Sequence, residues 1–280
     1  MKTVHLPLLA LVLASALVAE ANGQAADGPD TVMVVSGGLT LRALLWRPRG
    51  SGPFPAVMFN HGSYTNRDSL EPDQSALGPV FAGHGYVFLF LFRRGVGLSA
   101  DQGTADGDLM ASELAAHGQE GRNRVQLQLL EIDGLNEAMA GLAFLRALPE
   151  VNPRRIAVAG HSFGGSLTLF LAARDSTLRA AVVFAGAAYS WGLSPELRVQ
   201  LLAAVSHTTM PVLFIHAAND HSIASGTVLA AEMQRLGKPH QLKIYPAFGR
   251  TAGEGHNLVF RSVTTWEHDV FAFLDQRLQR

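Results

Sequence analysis

Gly160-His161-Ser162-Phe163-Gly164 is the stretch of this 280-residue chain whose residue types and spacing could do chemistry. A serine framed as G-x-S-x-G suits a tight turn from strand to helix, with its hydroxyl exposed at the apex. The glycines keep neighbouring backbone clear, and the helix start behind the serine favours developing negative charge. A lone hydroxyl is a poor nucleophile. It needs a base to take its proton and an acid to orient that base. Where such a turn is used, the chain order is Ser, then acid, then His.

Six histidines follow Ser162: His207, His216, His221, His240, His256 and His268. His256 lies in the glycine-rich segment Gly253-Glu254-Gly255-His256, after the last candidate strand and before the last candidate helix. A loop there can reach the strand ends, so His256 is the expected base. His268 falls within the last helical pattern. His240 and His207 precede strands, at the wrong end of a sheet. His216 ends an apolar run, where a packed or hydrogen-bonded role is expected. Asp220, in Ile215-His216-Ala217-Ala218-Asn219-Asp220, comes just past a strand and is the expected acid. Asp175 closes the helix behind Ser162 and is expected to face solvent. His216, Asp220 and His221 fall short of a full metal ligand set, and no metal is expected.

Acyl chemistry also needs donors for an oxyanion. The backbone N–H of Phe163 is one. The other is expected from Asn60-His61-Gly62-Ser63-Tyr64, through the N–H of Ser63 or of Tyr64. Trp191, in a segment leaving the strand after the nucleophile helix, is expected to wall the substrate pocket.

These residues need elements to hold them. Residues 31–35 and 39–46 are β-rich and flank Ser36-Gly37-Gly38, a hairpin signal. Residues 56–60, 86–92, 156–159, 181–184, 212–215 and 241–245 are apolar or β-rich runs. Residues 125–148 carry the longest helical pattern, and 167–173, 195–205, 228–236 and 263–278 the others. Strands alternating with helices predict an α/β fold with a mostly parallel central sheet, an N-terminal antiparallel hairpin and helices on both faces. Residues 99–121 show weak periodicity and read as a mobile loop or a small lid.

His61-Gly62, Arg94-Gly95-x-Gly97-x-Ser99, the serine motif, Asp220 and His256 together resemble the dienelactone-hydrolase-like and prolyl-oligopeptidase-like α/β-hydrolases. The resemblance covers the chain after its N-terminal segment. It implies an ester or peptide hydrolase with a Ser-Asp-His triad and no cofactor. Dienelactone hydrolases use a cysteine nucleophile, and this chain has no Cys. Prolyl oligopeptidases carry a propeller for which this chain has no room. A partial likeness to bacterial cutinase-like polyester hydrolases rests on Tyr64-Thr65 and Trp191. A serine esterase acting on a small-molecule ester is the expectation. A peptidase or amidase is the alternative, and a non-catalytic binding protein of the same fold is another. Gly95-Val96-Gly97-Leu98-Ser99-Ala100 copies a dinucleotide fingerprint, but a turn-forming Asp101-Gln102-Gly103 follows where that motif must open a helix.

Composition narrows the rest. With 48% hydrophobic residues and 16% charged ones, the chain can build a core. A net charge of −1 gives no nucleic-acid footprint. Lys2, the apolar stretch 6–18 and Ala19-Glu20-Ala21 form the pattern of a cleaved export signal over residues 1–21. That stretch is too short to span a bilayer, which needs roughly 20 residues. Residues 22–280 are then expected as one periplasmic or secreted domain.

Overall fold

The computed structural model describes residues 28–279 except 67, 69 and 70, and the expected signal at 1–21 lies outside the described residues. An eight-stranded sheet runs through the molecule in the order β1-β2-β4-β3-β5-β6-β7-β8. Strands β1 (Asp30–Ser36) and β2 (Leu39–Trp46) form the antiparallel hairpin, and β2 pairs antiparallel with β4 (Val87–Leu91). From β4 onward all pairings are parallel, through β3 (Phe54–Asn60), β5 (Val151–His161), β6 (Ala180–Phe184), β7 (Val212–Ala217) and β8 (His240–Tyr245).

Strand β4 shows why its sequence is apolar without alternation. Val87, Leu89 and Leu91 face one hydrophobic cluster, and Phe88 and Phe90 face the other. Both faces of the sheet are covered, as parallel strands require. The first face carries α3 (Gly134–Ala147), α4 (Phe163–Arg174), α5 (Pro195–His207) and α6 (Ala224–Arg235), with Leu142, Leu167, Leu201 and Met233 among the buried contacts. The second carries α1 (Glu71–Gly83), the short helix α8 (Leu258–Arg261) and α9 (Val263–Leu278), led by Phe81, Phe260 and Trp266. Each large side chain buried in this way contributes about 1.5–3 kcal/mol.

Two expectations about the middle of the chain are corrected. Residues 99–121 are not one loop: turns follow the short 3-10 helix at Gly97–Ser99 through residue 105, and helix α2 (Asp106–Gln128) then begins. The weak periodicity reflects a break at Gly118, where φ is 67°. The expected helix over 125–148 is interrupted by a π-helical turn at Leu129–Asp133 before α3 resumes. Asp175 is also not solvent-facing: it is buried, accepting hydrogen bonds from Arg146 Nη2 at 2.6 Å and Thr177 Oγ1 at 2.7 Å. It locks the end of α4, far from an orienting role. Among the described residues no helix is long and apolar enough to cross a membrane.

Candidate active site

The carboxyl ends of the parallel strands converge on one edge, where open α/β sheets hold their ligands. His61 follows β3, Ser162 follows β5, the segment 185–191 follows β6, and Asp220 follows β7. The loop after β8 leads into α7 (Ala252–His256), which ends on the histidine.

Ser162 sits at the elbow between β5 and α4 with φ 55° and ψ −117°. A non-glycine residue rarely holds positive φ, and such strain concentrates at functional sites. The geometry is pinned from both sides: the Ser162 N–H donates to the Phe184 carbonyl at 2.9 Å, and its carbonyl accepts from Ser166 N–H at 3.1 Å. Close packing explains the motif glycines. A Cβ at Gly160 would overlap the Gly164 carbonyl, and one at Gly164 would overlap the Asn60 carbonyl.

His256 Nδ1 donates to Asp220 Oδ1 at 2.7 Å. The same oxygen accepts the backbone N–H of His221 at 2.7 Å, and Asp220 Oδ2 accepts His216 Nδ1 at 2.8 Å. Burial alone would push the Asp220 carboxyl up, but the hydrogen bonds from His216 and His256 outweigh it and hold it at about 2. Three donors to one carboxylate have that effect generally. His161 Nε2 donates to the His256 carbonyl at 2.9 Å. Full burial, reinforced by repulsion from His256, depresses the His161 imidazole to about 3, so it is neutral.

Asn219, beside Asp220, has a different task. Its amide donates to the carbonyls of Phe248 and Thr251 at 2.9 Å each and accepts from Phe248 N–H at 2.9 Å. It staples the β7 end to the loop that carries His256. A capping box between Thr251 and Glu254 then starts α7.

The loop after β3 is anchored by a buried cation. Arg93 donates to the carbonyls of His61 at 2.9 Å and Gly62 at 2.7 Å, and pairs with Asp106 at 2.7 Å. Its guanidinium also lies over the Phe163 ring, 4.9 Å from the centroid. The His61 ring donates from Nδ1 to the Gly62 carbonyl and accepts the Arg93 N–H on Nε2. Burial and the neighbouring Arg93 charge hold it well below the usual histidine range. Asp106 Oδ1 accepts the Tyr64 N–H at 3.0 Å. Of the two alternatives left open by sequence, the Tyr64 amide is therefore occupied, whereas no hydrogen bond among the described residues takes up the N–H of Ser63 or Phe163.

Ser162, Phe163, Ser63, Tyr64 and His256 line one pocket of about 400 Å³, with Asp220 behind His256. Trp191 does not join them. Its backbone N–H donates to the Ala187 carbonyl at 2.8 Å, and this turn carries the indole into the hydrophobic core, where the residue is 7% exposed. Tyr189, 54% exposed, takes the pocket wall instead, together with Ser190. Sequence reasoning also missed Arg122 and Gln126, which α2 brings to the same pocket. Their signal was a polar stripe at helical spacing, Gln119, Arg122, Asn123 and Gln126. Gln126 and Asn123 tie α2 to the segment after β6, through Ser190 Oγ at 2.9 Å and the Leu193 carbonyl at 2.8 Å.

Comparison with known proteins agrees with this arrangement of elements. The dienelactone hydrolase family pattern matches residues 41–273. A polyketide transferase, GrgF, from Penicillium is 30% identical over 226 residues, covering 77% of this chain and 67% of that protein. Acylaminoacyl peptidase from Pyrococcus horikoshii superposes with a TM-score of 0.67 at 17% identity, covering 94% of this chain. This chain spans only 43% of that peptidase's length. Est1E from Butyrivibrio proteoclasticus superposes with a TM-score of 0.59 at 16% identity, covering 91% of this chain and all of the other. At such identities the superpositions speak for the α/β-hydrolase fold, and the matched pattern for descent: the chain belongs to the dienelactone hydrolase family.

Proposed function

We propose that this family member is a serine hydrolase of small carboxylic esters, with Ser162 as nucleophile, His256 as general base and Asp220 as the orienting acid. Ser162 Oγ attacks the ester carbonyl carbon, and its proton passes to His256 Nε2. The negative oxygen of the tetrahedral intermediate is received by the N–H groups of Phe163 and Ser63. Collapse breaks the bond to the alcohol oxygen, which leaves with the proton from His256. A water then gives its proton to His256, attacks the acyl-serine, and the acid is released as Ser162 regains its proton. Asp220, ionised through this cycle, stabilises the imidazolium and keeps Nδ1 protonated.

One observation carries the reading: a strained serine and the imidazole of a 2.7 Å His–Asp pair share one pocket. The pocket offers two uncommitted amides beside that serine, as an acyl-transfer site needs. The test is labelling with a fluorophosphonate, run beside turnover of matched p-nitrophenyl esters and p-nitroanilides. Labelling of Ser162 alone, with esters hydrolysed far faster than anilides and no response to EDTA, is expected. Labelling that persists in Ser162→Ala would refute the nucleophile. Anilides turned over as fast as esters would shift the activity to a peptidase. We further propose that residues 1–21 direct export, so that the mature N-terminus is Asn22 or, after a second small-residue site, Ala26. N-terminal sequencing of the exported protein checks it.

A further inference from the structure

Asp220 does not serve one histidine but two. His216, next to last in β7, gives its Nδ1 proton to Asp220 Oδ2 at 2.8 Å, while His256 occupies Oδ1. Both partners of the His216 contact are buried, with side chains 1% and 0% exposed. The other ring nitrogen, His216 Nε2, is buried with no hydrogen-bond partner. It abuts Gly226 at the start of α6, where a Cβ would stand 2.6 Å from Nε2. A buried strand position between Ile215 and Ala217 would pack more easily with an aliphatic residue. A histidine with one nitrogen sealed and bare is placed there for its other nitrogen.

We propose that His216 is a positioning residue for the reaction, holding the second oxygen of Asp220 so that the first is aimed at His256. The inference rests on the triad reading. A carboxylate gripped at one oxygen only can rotate about its Cβ–Cγ bond, whereas donors on both oxygens fix its plane. Withdrawal of charge toward His216 also tempers how strongly Asp220 stabilises the His256 imidazolium. The titratable groups around this carboxylate are His216 from β7, His221 beside it, His256 from α7 and, packed on His256 at 4.7 Å between centroids, His161 from β5. No Lys or Arg among the described residues is paired with it.

The experiment compares His216→Asn with His216→Leu. The Asn amide nitrogen can stand where Nδ1 stood, and Leu suits the apolar strand but donates nothing. His216→Leu is expected to lose about 10- to 100-fold in kcat/KM, the scale of a lost hydrogen bond to a charged group. Its acid-limb pKa in the pH–rate profile is expected to move up, because Asp220 then concentrates charge on the oxygen facing His256. His216→Asn is expected to recover most of the rate and the parent limb. Leu equal to Asn, or within twofold of the parent with an unmoved limb, overturns the proposal. Asp220→Asn, assayed alongside, separates the two readings: if it retains activity the triad itself fails, and if only it is inactive the triad stands and His216 is not needed. A measurement on the unaltered protein guards against variants that misfold. Long-range nitrogen NMR is expected to show His216 protonated at Nδ1 and bare at Nε2, and the opposite tautomer would overturn the proposal.

Discussion

Asp220 and Asn219 are neighbours with separate tasks, and substitution should tell them apart. Asp220→Asn keeps the shape but removes the charge facing His256 and permits the wrong tautomer. A loss of about 10³–10⁴-fold in kcat with an unchanged fold is expected, by the serine-protease precedent, and steady-state kinetics beside circular dichroism checks it. Asn219→Ala should change kcat far less than Asp220→Asn, yet it is not silent, because the Asn219 amide makes three bonds to the loop carrying His256. Asn219→Ala should lower kcat and raise loop proteolysis, while leaving the pH profile in place. Trp191 invites the opposite correction. As a core residue it should cost about 3–5 kcal/mol of stability when cut to Ala, with KM for bulky esters little altered. A urea melt and a KM series distinguish this from a pocket wall, which would change KM and leave the midpoint in place.

At the scale of elements, the site depends on how the β3 and β4 ends are joined. Arg93, just after β4, reaches across to the carbonyls of His61 and Gly62 and to Asp106 at the start of α2. The pair is buried on both sides, 5% and 6% exposed, so its removal leaves an uncompensated charge rather than a lost surface contact. Arg93→Ala is expected to cost about 3–5 kcal/mol and, in any protein that remains folded, to impair acylation, since the Ser63 amide loses its support. Equilibrium denaturation with burst kinetics would show both. Unchanged stability would mean that the Arg93–Asp106 pair is not formed in solution. Helix α2, for its part, delivers Arg122 and Gln126 to the pocket from the stretch between the break at Gly118 and the π-helical turn at Leu129–Asp133.

For the whole molecule, the buried histidines set a pH dependence of stability. The unfolded chain protonates His161 near the ordinary value of 6.5, but burial and the neighbouring His256 keep the folded form neutral to about 3. The unfolded state therefore binds more protons between those values, and stability falls as pH drops through 6.5 toward 3. His61, also buried and held down beside Arg93, acts in the same direction. His161 alone should remove on the order of 3 kcal/mol by pH 4. Asp220 is depressed from 3.8 to about 2, so its contribution is present above 3.8 and is lost only below that, as pH falls through 2. Urea midpoints at pH 7.5, 6, 5 and 4 should show a decline that begins near 6.5, and it should be shallower in His161→Gln. A flat profile to pH 4 would show that these imidazoles are not buried neutral.

What the sequence determined by itself is local in nature. The G-x-S-x-G turn and the strand–helix alternation were legible because each depends on residues close in the chain. The aromatic run at β4 was legible as a buried strand, though not which residues faced which side. What tertiary structure decided is everything set by contacts across long separations. His216 and Asp220 stand four residues apart, yet the role of His216 depends on Gly226 sealing its far nitrogen. Tyr64 lost its claim as a donor to Asp106, 42 residues later. Trp191 turned inward because the segment coils on Ala187, and α2 emerged where the weak hydrophobic pattern suggested a loop, its exposed first half held to the fold through the polar contacts of Asn123 and Gln126 with Leu193 and Ser190. Periodicity reports which face meets apolar neighbours. It carries no record of polar faces that find their partners only in the folded chain.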